Sequence, residues 1–222
     1  MGFLEQKTVL MCRTILLCFS VLFVCFSCSG PVSELPYYNT PYFSPYFLTP
    51  KEAGRQITHR IPSFEFLNQH DKLYSSENLN NKIHVANFIF TVCTDICPQM
   101  TSNMKIVEKA FLNDSLVEIL SFSVTPWIDT SKKLFDYAVF YNITSSNWHF
   151  LTGEKSKIYS LARQSYFAEE DFGFSKDSTQ FLHTEHFILV DHNKKIRGIY
   201  NGTLELEAQQ LIKDIVVLKN SL

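Results

Sequence analysis

The sequence predicts an α/β domain in which helices flank a central mixed sheet. Short apolar runs of strand length indicate the sheet, at Ile83–Phe90, Val117–Val124 and His186–Asp191. Apolar residues between the first two runs recur at helical spacing instead, at Met100, Met104, Val107 and Phe111. Strands separated by helices are the pattern of a sheet covered by helices.

The remaining elements follow the same alternation. Trp148–Thr152 is a weaker strand candidate, and a turn at residues 191–194 leads to a further strand at Lys195–Tyr200. Helical spacing recurs at Leu134, Ala138 and Tyr141, at Ile158, Leu161 and Ala162, and at Leu204, Ala208, Leu211, Ile212 and Ile215. A strand–helix alternation that closes with a hairpin and a helix predicts a thioredoxin-like sheet.

Composition narrows the class of protein. The 222 residues are 45% hydrophobic and 19% charged, which is typical of a chain with a packed core. The net charge of −2 provides no basic field for nucleic acid, so we expect no nucleic-acid partner.

Residues 1–30 differ from the rest and indicate export. Lys7 and Arg13 precede a run of 14 apolar or small residues, Ile15–Cys28, which is shorter than the roughly 20 needed to span a bilayer. This pattern is typical of a secretory signal. Its end loosely resembles a bacterial lipobox, with Cys28 as the candidate lipid attachment, and an uncleaved signal anchor is the alternative. Either form predicts a membrane-anchored domain on the periplasmic or outer face of the cell membrane.

Residues 31–58 form a segment rich in proline and tyrosine. Five of the eight prolines lie within residues 31–50, a density that disfavours helices and central strands and favours a semi-rigid spacer. The alternative is an arm packed on the domain. The folded domain is expected at residues 59–222.

Cys93 and Cys97 are the candidate site. The other four of the six cysteines lie in the leader, so the domain has no disulfide framework. The pair follows a predicted strand and opens a predicted helix, where residues four apart lie on one side and can share a metal or form a redox-active disulfide. A helix N-terminus is expected to lower thiol pKa. Two buried, inert thiols are the structural alternative, and the pair alone does not distinguish a metal site from a redox site.

Four collinear segments, between about Arg60 and the C-terminus, are similar to the Sco/SenC copper chaperones. Phe88–Thr101 contains the Cys-x-x-x-Cys-Pro signature, and the other segments that resemble the family are Ser123–Thr130, Trp148–Gly153 and His183–Gly202. Thr94 and Thr125 depart from the family pattern, which usually has proline and aspartate there.

This resemblance implies one copper ion, Cu(I) or Cu(II), held by Cys93, Cys97 and His183. It also implies a metallochaperone that helps to metallate the binuclear copper centre of cytochrome c oxidase, with the copper-bearing oxidase subunit as partner. Two thiolates and one imidazole suit copper, whereas structural zinc normally takes four protein ligands. His186 is the rival histidine, and Asp95, Met100 and Met104 are candidates for a fourth contact. The remaining histidines are expected at the surface or behind the site: His59, His70, His84, His149 and His192.

The alternative function is a membrane-tethered thiol–disulfide oxidoreductase acting on exported cysteine proteins. It would use Cys93 and Cys97 without His183. Thioredoxin-like reductases carry Cys-x-x-Cys and a proline facing it, whereas this spacing is one residue longer and no proline follows Pro126. A peroxidase is disfavoured because the motif provides no evident substrate pocket. The sequence therefore favours a metallochaperone over an enzyme.

Overall fold

A nine-stranded mixed sheet organises the computed structural model, which describes residues 35–168 and 184–222. The strands are β1 (Tyr37–Tyr38), β2 (Pro45–Tyr46), β3 (Glu65–Asn68), β4 (Leu73–Ser75), β5 (Ile83–Ile89), β6 (Val117–Ser123), β7 (Trp148–Thr152), β8 (His186–Val190) and β9 (Ile196–Asn201). Their order across the sheet is β2-β1-β9-β8-β5-β6-β7-β3-β4. The pairs β5–β6 and β6–β7 are parallel, and the other neighbours are antiparallel.

Five α-helices surround this sheet in the described part of the chain. They are α1 (Pro50–Gln56), α2 (Ile96–Ala110), α3 (Ser131–Phe140), α4 (Lys155–Ser160), which continues into a π-helical turn at Leu161–Ser165, and α5 (Glu205–Lys219). The predicted mixed sheet flanked by helices is confirmed. Among the described residues, no helix is both long and apolar enough to cross a bilayer.

The central strands are buried on both faces, which explains their nearly continuous apolar sequences. Successive side chains of a strand point to opposite faces. Accordingly, Ile83 and Val85 of β5 pack into one core cluster with α2, α3 and α5. Ala86 and Phe88 pack into a second cluster with α4 and its π-helical turn. The two layers of helices therefore hold β5 and β6 rigidly, and these strands carry the loops discussed below.

Residues 35–58 are packed on the domain, and this differs from the spacer expected from their proline content. β1 pairs with β2 and, through Tyr38 and Ile196, with β9. α1 begins with Pro50 at its first position, where a missing N–H is tolerated, and Thr49 and Glu52 form a capping box. Prolines at a helix start and in an edge strand are compatible with regular structure, so proline density did not exclude it.

Residues 35–58 are called the N-terminal arm below. The side chain of Arg197 anchors the start of this arm. Its guanidinium donates to the carbonyls of Leu35 and Pro36 at 2.6 and 3.0 Å and to Asp191 at 3.2 Å. It also lies 3.7 Å from the centre of the Tyr37 ring. A buried guanidinium needs such partners to offset its lost hydration, so the arm and the domain stabilise one another.

Candidate metal centre

Cys93 and Cys97 lie together at the junction between β5 and α2, as the sequence predicts. The Cys93 N–H donates to the Phe90 carbonyl at 3.2 Å, which turns the chain after β5. The Cys97 N–H donates to the Cys93 Sγ at 3.4 Å. The first N–H groups of a helix lack intrahelical acceptors, and Asp95 at the N-cap provides no side-chain acceptor. The sulfur of Cys93 therefore helps to cap α2, which places it beside Cys97.

The two thiols have different environments. Cys93 is half-buried, whereas Cys97 is 2% exposed, and neither forms a disulfide. The pKa of the Cys97 thiol is raised to about 12, mainly by burial; a backbone hydrogen bond at Phe90 lowers the pKa, and the neighbouring Cys93 and Asp129 charges help to raise it. The lowered pKa expected from the helix N-terminus is therefore wrong for Cys97, because desolvation dominates. A metal cation bound there would stabilise the negatively charged Cys97 thiolate and displace the thiol proton.

Residues 91–97 are called the cysteine loop below. Behind this loop lies a buried carboxylate, Asp129, in the connection between β6 and α3. It accepts hydrogen bonds from Thr91, Ser123 and Thr125. Thr125, where the Sco/SenC pattern usually has aspartate, is buried and donates to Asp129 at 2.9 Å. Thr94, the other departure, is exposed on the cysteine loop. Neither departure disrupts the pairing of the two thiols.

The third predicted ligand, His183, lies outside the described residues, as does the predicted lipid attachment, Cys28. Within residues 35–168 and 184–222, no group of three histidine, cysteine, aspartate or glutamate side chains is placed to hold a metal ion. The structure therefore brings two of the three predicted ligands together. His186, the rival histidine, begins β8 and packs edge-on against Phe43 with ring centres 5.8 Å apart.

The candidates for a fourth contact divide by burial. Met100 and Met104 are fully buried in the core cluster on the α2 face of the sheet, where they fill space between helices. Asp95 is exposed at the start of α2.

The remaining histidines have partners of their own. His59 lies 2.7 Å from the Ser165 carbonyl, and His149 lies 3.0 Å from Glu118. His70 packs against Phe135, and His192 lies 2.8 Å from the Asn193 amide. His84 differs from the expected surface or second-layer position because it is fully buried within β5. These contacts give His59, His70, His149 and His192 structural partners, whereas the burial of His84 places it in the core.

An open groove of about 750 Å³ lies between the β3–β4 hairpin and the start of α3. Its lining includes Gln69, Asp71, Pro126, Lys132 and Phe135, and neither cysteine contributes to it. The dithiol is thus separate from this groove. Of its two side chains, that of Cys93 is partly exposed at the protein surface.

Fold and site together define a class of protein. It is a thioredoxin-like protein in which the junction between β5, the first of the parallel strands, and helix α2 carries a Cys-x-x-x-Cys dithiol. The SCO1/SenC family model matches residues 52–219. This chain belongs to the SCO1/SenC family.

Similar proteins agree in sequence and structure. The SCO1 protein homolog of Bacillus subtilis (strain 168) is 35% identical over 169 residues, covering 73% of this chain and 86% of the relative. The SCO1/SenC family lipoprotein of Bacillus anthracis has a structure with a TM-score of 0.62 and 29% identity, covering 74% of this chain and 98% of that one. BsSco, described as a member of the Sco family of cytochrome c oxidase assembly proteins, has a TM-score of 0.61 and 34% identity, covering 72% and 93%. The predicted thioredoxin-like class and the family resemblance are confirmed.

Proposed function

We propose that this protein is a membrane-tethered copper chaperone that helps to assemble the binuclear copper centre of cytochrome c oxidase. Family membership supports a role in copper handling and oxidase assembly. BsSco, which is 34% identical, is described as belonging to a family of cytochrome c oxidase assembly proteins. The observation that carries the proposal is the dithiol, in which Cys93 and Cys97 are both free and adjacent at the end of a rigid strand.

The donor chemistry supports copper. Thiolates are soft ligands that favour Cu(I), and an imidazole extends the site toward Cu(II). We assign the imidazole to His183 because it is the position that matches the family's metal-histidine region. Copper is the cargo in this proposal, and the domain's own contribution is a pair of adjacent sulfurs, of which that of Cys93 lies near the surface and that of Cys97 is buried beside it.

Membrane attachment is part of the proposal. The leader predicts export, and a family relative, the Bacillus anthracis protein, is described as a lipoprotein. We infer attachment through Cys28, with the domain on the periplasmic or outer face of the membrane. The copper acceptor is then the copper-bearing subunit of the oxidase.

The test is a copper titration of the reduced protein with absorbance and metal analysis. The wild-type chain should bind one copper ion, and Cys93→Ser or Cys97→Ser should abolish tight binding because one soft ligand is lost. His183→Ala should weaken binding, especially of Cu(II), whereas His186→Ala serves as the matched control and should change it little. Equal affinity in either serine variant would place the site elsewhere.

A cellular measurement separates the chaperone from the oxidoreductase. Thiol exchange depends on thiolate fraction and access and does not need an imidazole ligand. His183→Ala should therefore reduce oxidase activity while Cys93 and Cys97 can still form a disulfide. If His183→Ala keeps full copper affinity and oxidase assembly while the cysteine variants lose both, the dithiol chemistry is the working function.

A further inference from the structure

Asp129 is a fully buried carboxylate whose partners are neutral. Its side chain accepts hydrogen bonds from the Thr91 N–H at 3.2 Å, the Thr91 hydroxyl at 2.5 Å, the Ser123 hydroxyl at 2.7 Å and the Thr125 hydroxyl at 2.9 Å. No lysine, arginine or histidine of the described ranges forms an ion pair with it. A buried charge is costly unless it is hydrogen-bonded, and charge-assisted hydrogen bonds are strong. These four bonds therefore fix the donors firmly.

The donors come from two chain segments that leave the sheet side by side. β5 and β6 are parallel, and their last paired residues are Ile89 and Ser123. The Val124 N–H still donates to the Ile89 carbonyl at 2.9 Å. Beyond that point the backbone ladder ends. There the Asp129 carboxylate accepts hydrogen bonds from Thr91, which follows β5, and from Ser123 at the end of β6, and so joins the two segments.

The backbone of that connection aims the carboxylate. The Asp129 N–H donates to the Thr125 carbonyl at 2.8 Å, as does the Ile128 N–H, so residues 125–129 form a closed turn. Thr91 lies two residues before Cys93. The bond to Thr91 is therefore the link through which this turn reaches the cysteine loop.

We propose that Asp129 is a positioning residue for the dithiol: through Thr91 it holds the cysteine loop in the geometry that presents Cys93 and Cys97 to copper. The proposal rests on the proposed function for the identity of the metal, but the restraint on the loop exists without metal. Groups that orient metal ligands from behind typically change metal affinity 10- to 100-fold when removed.

Two isosteric variants separate positioning from general stability. Thr91→Val and Thr125→Val each remove one hydroxyl bond to the same carboxylate, but only Thr91 lies on the cysteine loop. In the detergent-purified full chain, Thr91→Val should weaken copper binding about 10-fold or more and alter the sulfur-to-copper charge-transfer absorption. Thr125→Val should leave both nearly unchanged even where it lowers the unfolding midpoint equally. Equal effects of the two variants on copper affinity would overturn the proposal.

Asp129→Asn provides the second arm. Asparagine retains one acceptor oxygen but loses the charge, and its effect on copper affinity should not add to that of Thr91→Val, because both break the same link. Additive effects would show that Asp129 acts by another route. Wild-type affinity in a folded Asp129→Asn variant would contradict the positioning role.

A measurement on metal-free protein makes the two proposals distinguishable. Amide hydrogen exchange at residues 91–97 should accelerate at least about 10-fold in Thr91→Val and Asp129→Asn, and remain near wild type in Thr125→Val. If wild-type protein binds no copper but the three variants show this exchange pattern, the proposed function fails and the positioning role of Asp129 stands. Unchanged exchange in all variants refutes the positioning role, whatever the copper titration shows.

Discussion

The Nε2 atom of His84 lies 3.0 Å from the hydroxyl of Tyr166, and both side chains are fully buried. His84 belongs to β5, and Tyr166 directly follows the π-helical turn after α4, so this contact joins the sheet to one helical layer. The pKa of His84 is lowered to about 3, mainly by burial and also by the charge of Lys194. The histidine is therefore neutral in the folded protein at physiological pH.

We expect the burial of His84 to make the domain sensitive to acid. The unfolded chain takes up a proton on His84 below the ordinary histidine pKa of 6.5, whereas the folded chain does so only near pH 3. Between these values the unfolded state binds more protons, so the free energy of unfolding falls as pH falls. The contribution approaches about 1.4 kcal/mol per pH unit. Urea unfolding of wild type and His84→Gln between pH 7 and 4 checks this, and parallel pH profiles would contradict it.

The two site cysteines should differ in reactivity. Cys93 is half-buried, while burial raises the pKa of Cys97 to about 12. At pH 8 the Cys97 thiol is therefore largely protonated, whereas the thiolate is the nucleophilic form. Iodoacetamide treatment of reduced, metal-free protein should therefore label Cys93 first, as read by peptide mass spectrometry. Denatured protein is the control, in which both should react alike; faster labelling of Cys97 in the native protein would contradict the burial argument.

The N-terminal arm should contribute measurably to stability. Tyr37 lies against the buried Arg197 guanidinium, and a desolvated cation–π contact is worth about 2 kcal/mol. Tyr37→Leu should lower the free energy of unfolding by about that amount. Tyr46 pairs with Tyr37 across β1 and β2 but is 39% exposed, so Tyr46→Leu is the matched control and should stay within about 0.5 kcal/mol of wild type. Equal losses in both variants would argue against the Arg197 contact.

The leader hypothesis has its own test. Cys28→Ala should prevent lipid modification while leaving export intact, because the basic start and apolar run are unchanged. Intact-mass analysis of membrane-extracted wild-type protein should show cleavage before Cys28 and an added acyl mass. An unprocessed N-terminus without that mass would support a signal anchor.

Local patterns predicted what local physics determines. The strand, the loop with Cys93 and Cys97, and the following helix are contiguous, so their periodicity and motif spacing indicated both the elements and the adjacency of the thiols. Long buried strands such as Ile83–Ile89 are continuous apolar runs, which made the centre of the sheet predictable.

Long-range contacts account for the features that were missed. Thr91 and Asp129 are 38 residues apart, and Asp129 was one polar residue in a motif without an assigned role. Arg197 and Pro36 are separated by 161 residues, so the packed arm could not be read from its proline content. The raised pKa of Cys97 likewise depends on burial by distant segments, which outweighs the local effect of the helix N-terminus.

The packed arm also has a consequence for self-association. β1 pairs with β9 through Tyr38 and Ile196, and the outermost strand, β2, consists of two exposed residues that include Pro45. Proline cannot donate to a neighbouring strand, and a very short edge offers little to pair with. Proteolysis that removed the arm would uncover the Ile196 end of the six-residue strand β9, which is where β1 pairs with it. The arm therefore covers this end of the sheet edge and makes it less available for pairing between copies of the chain.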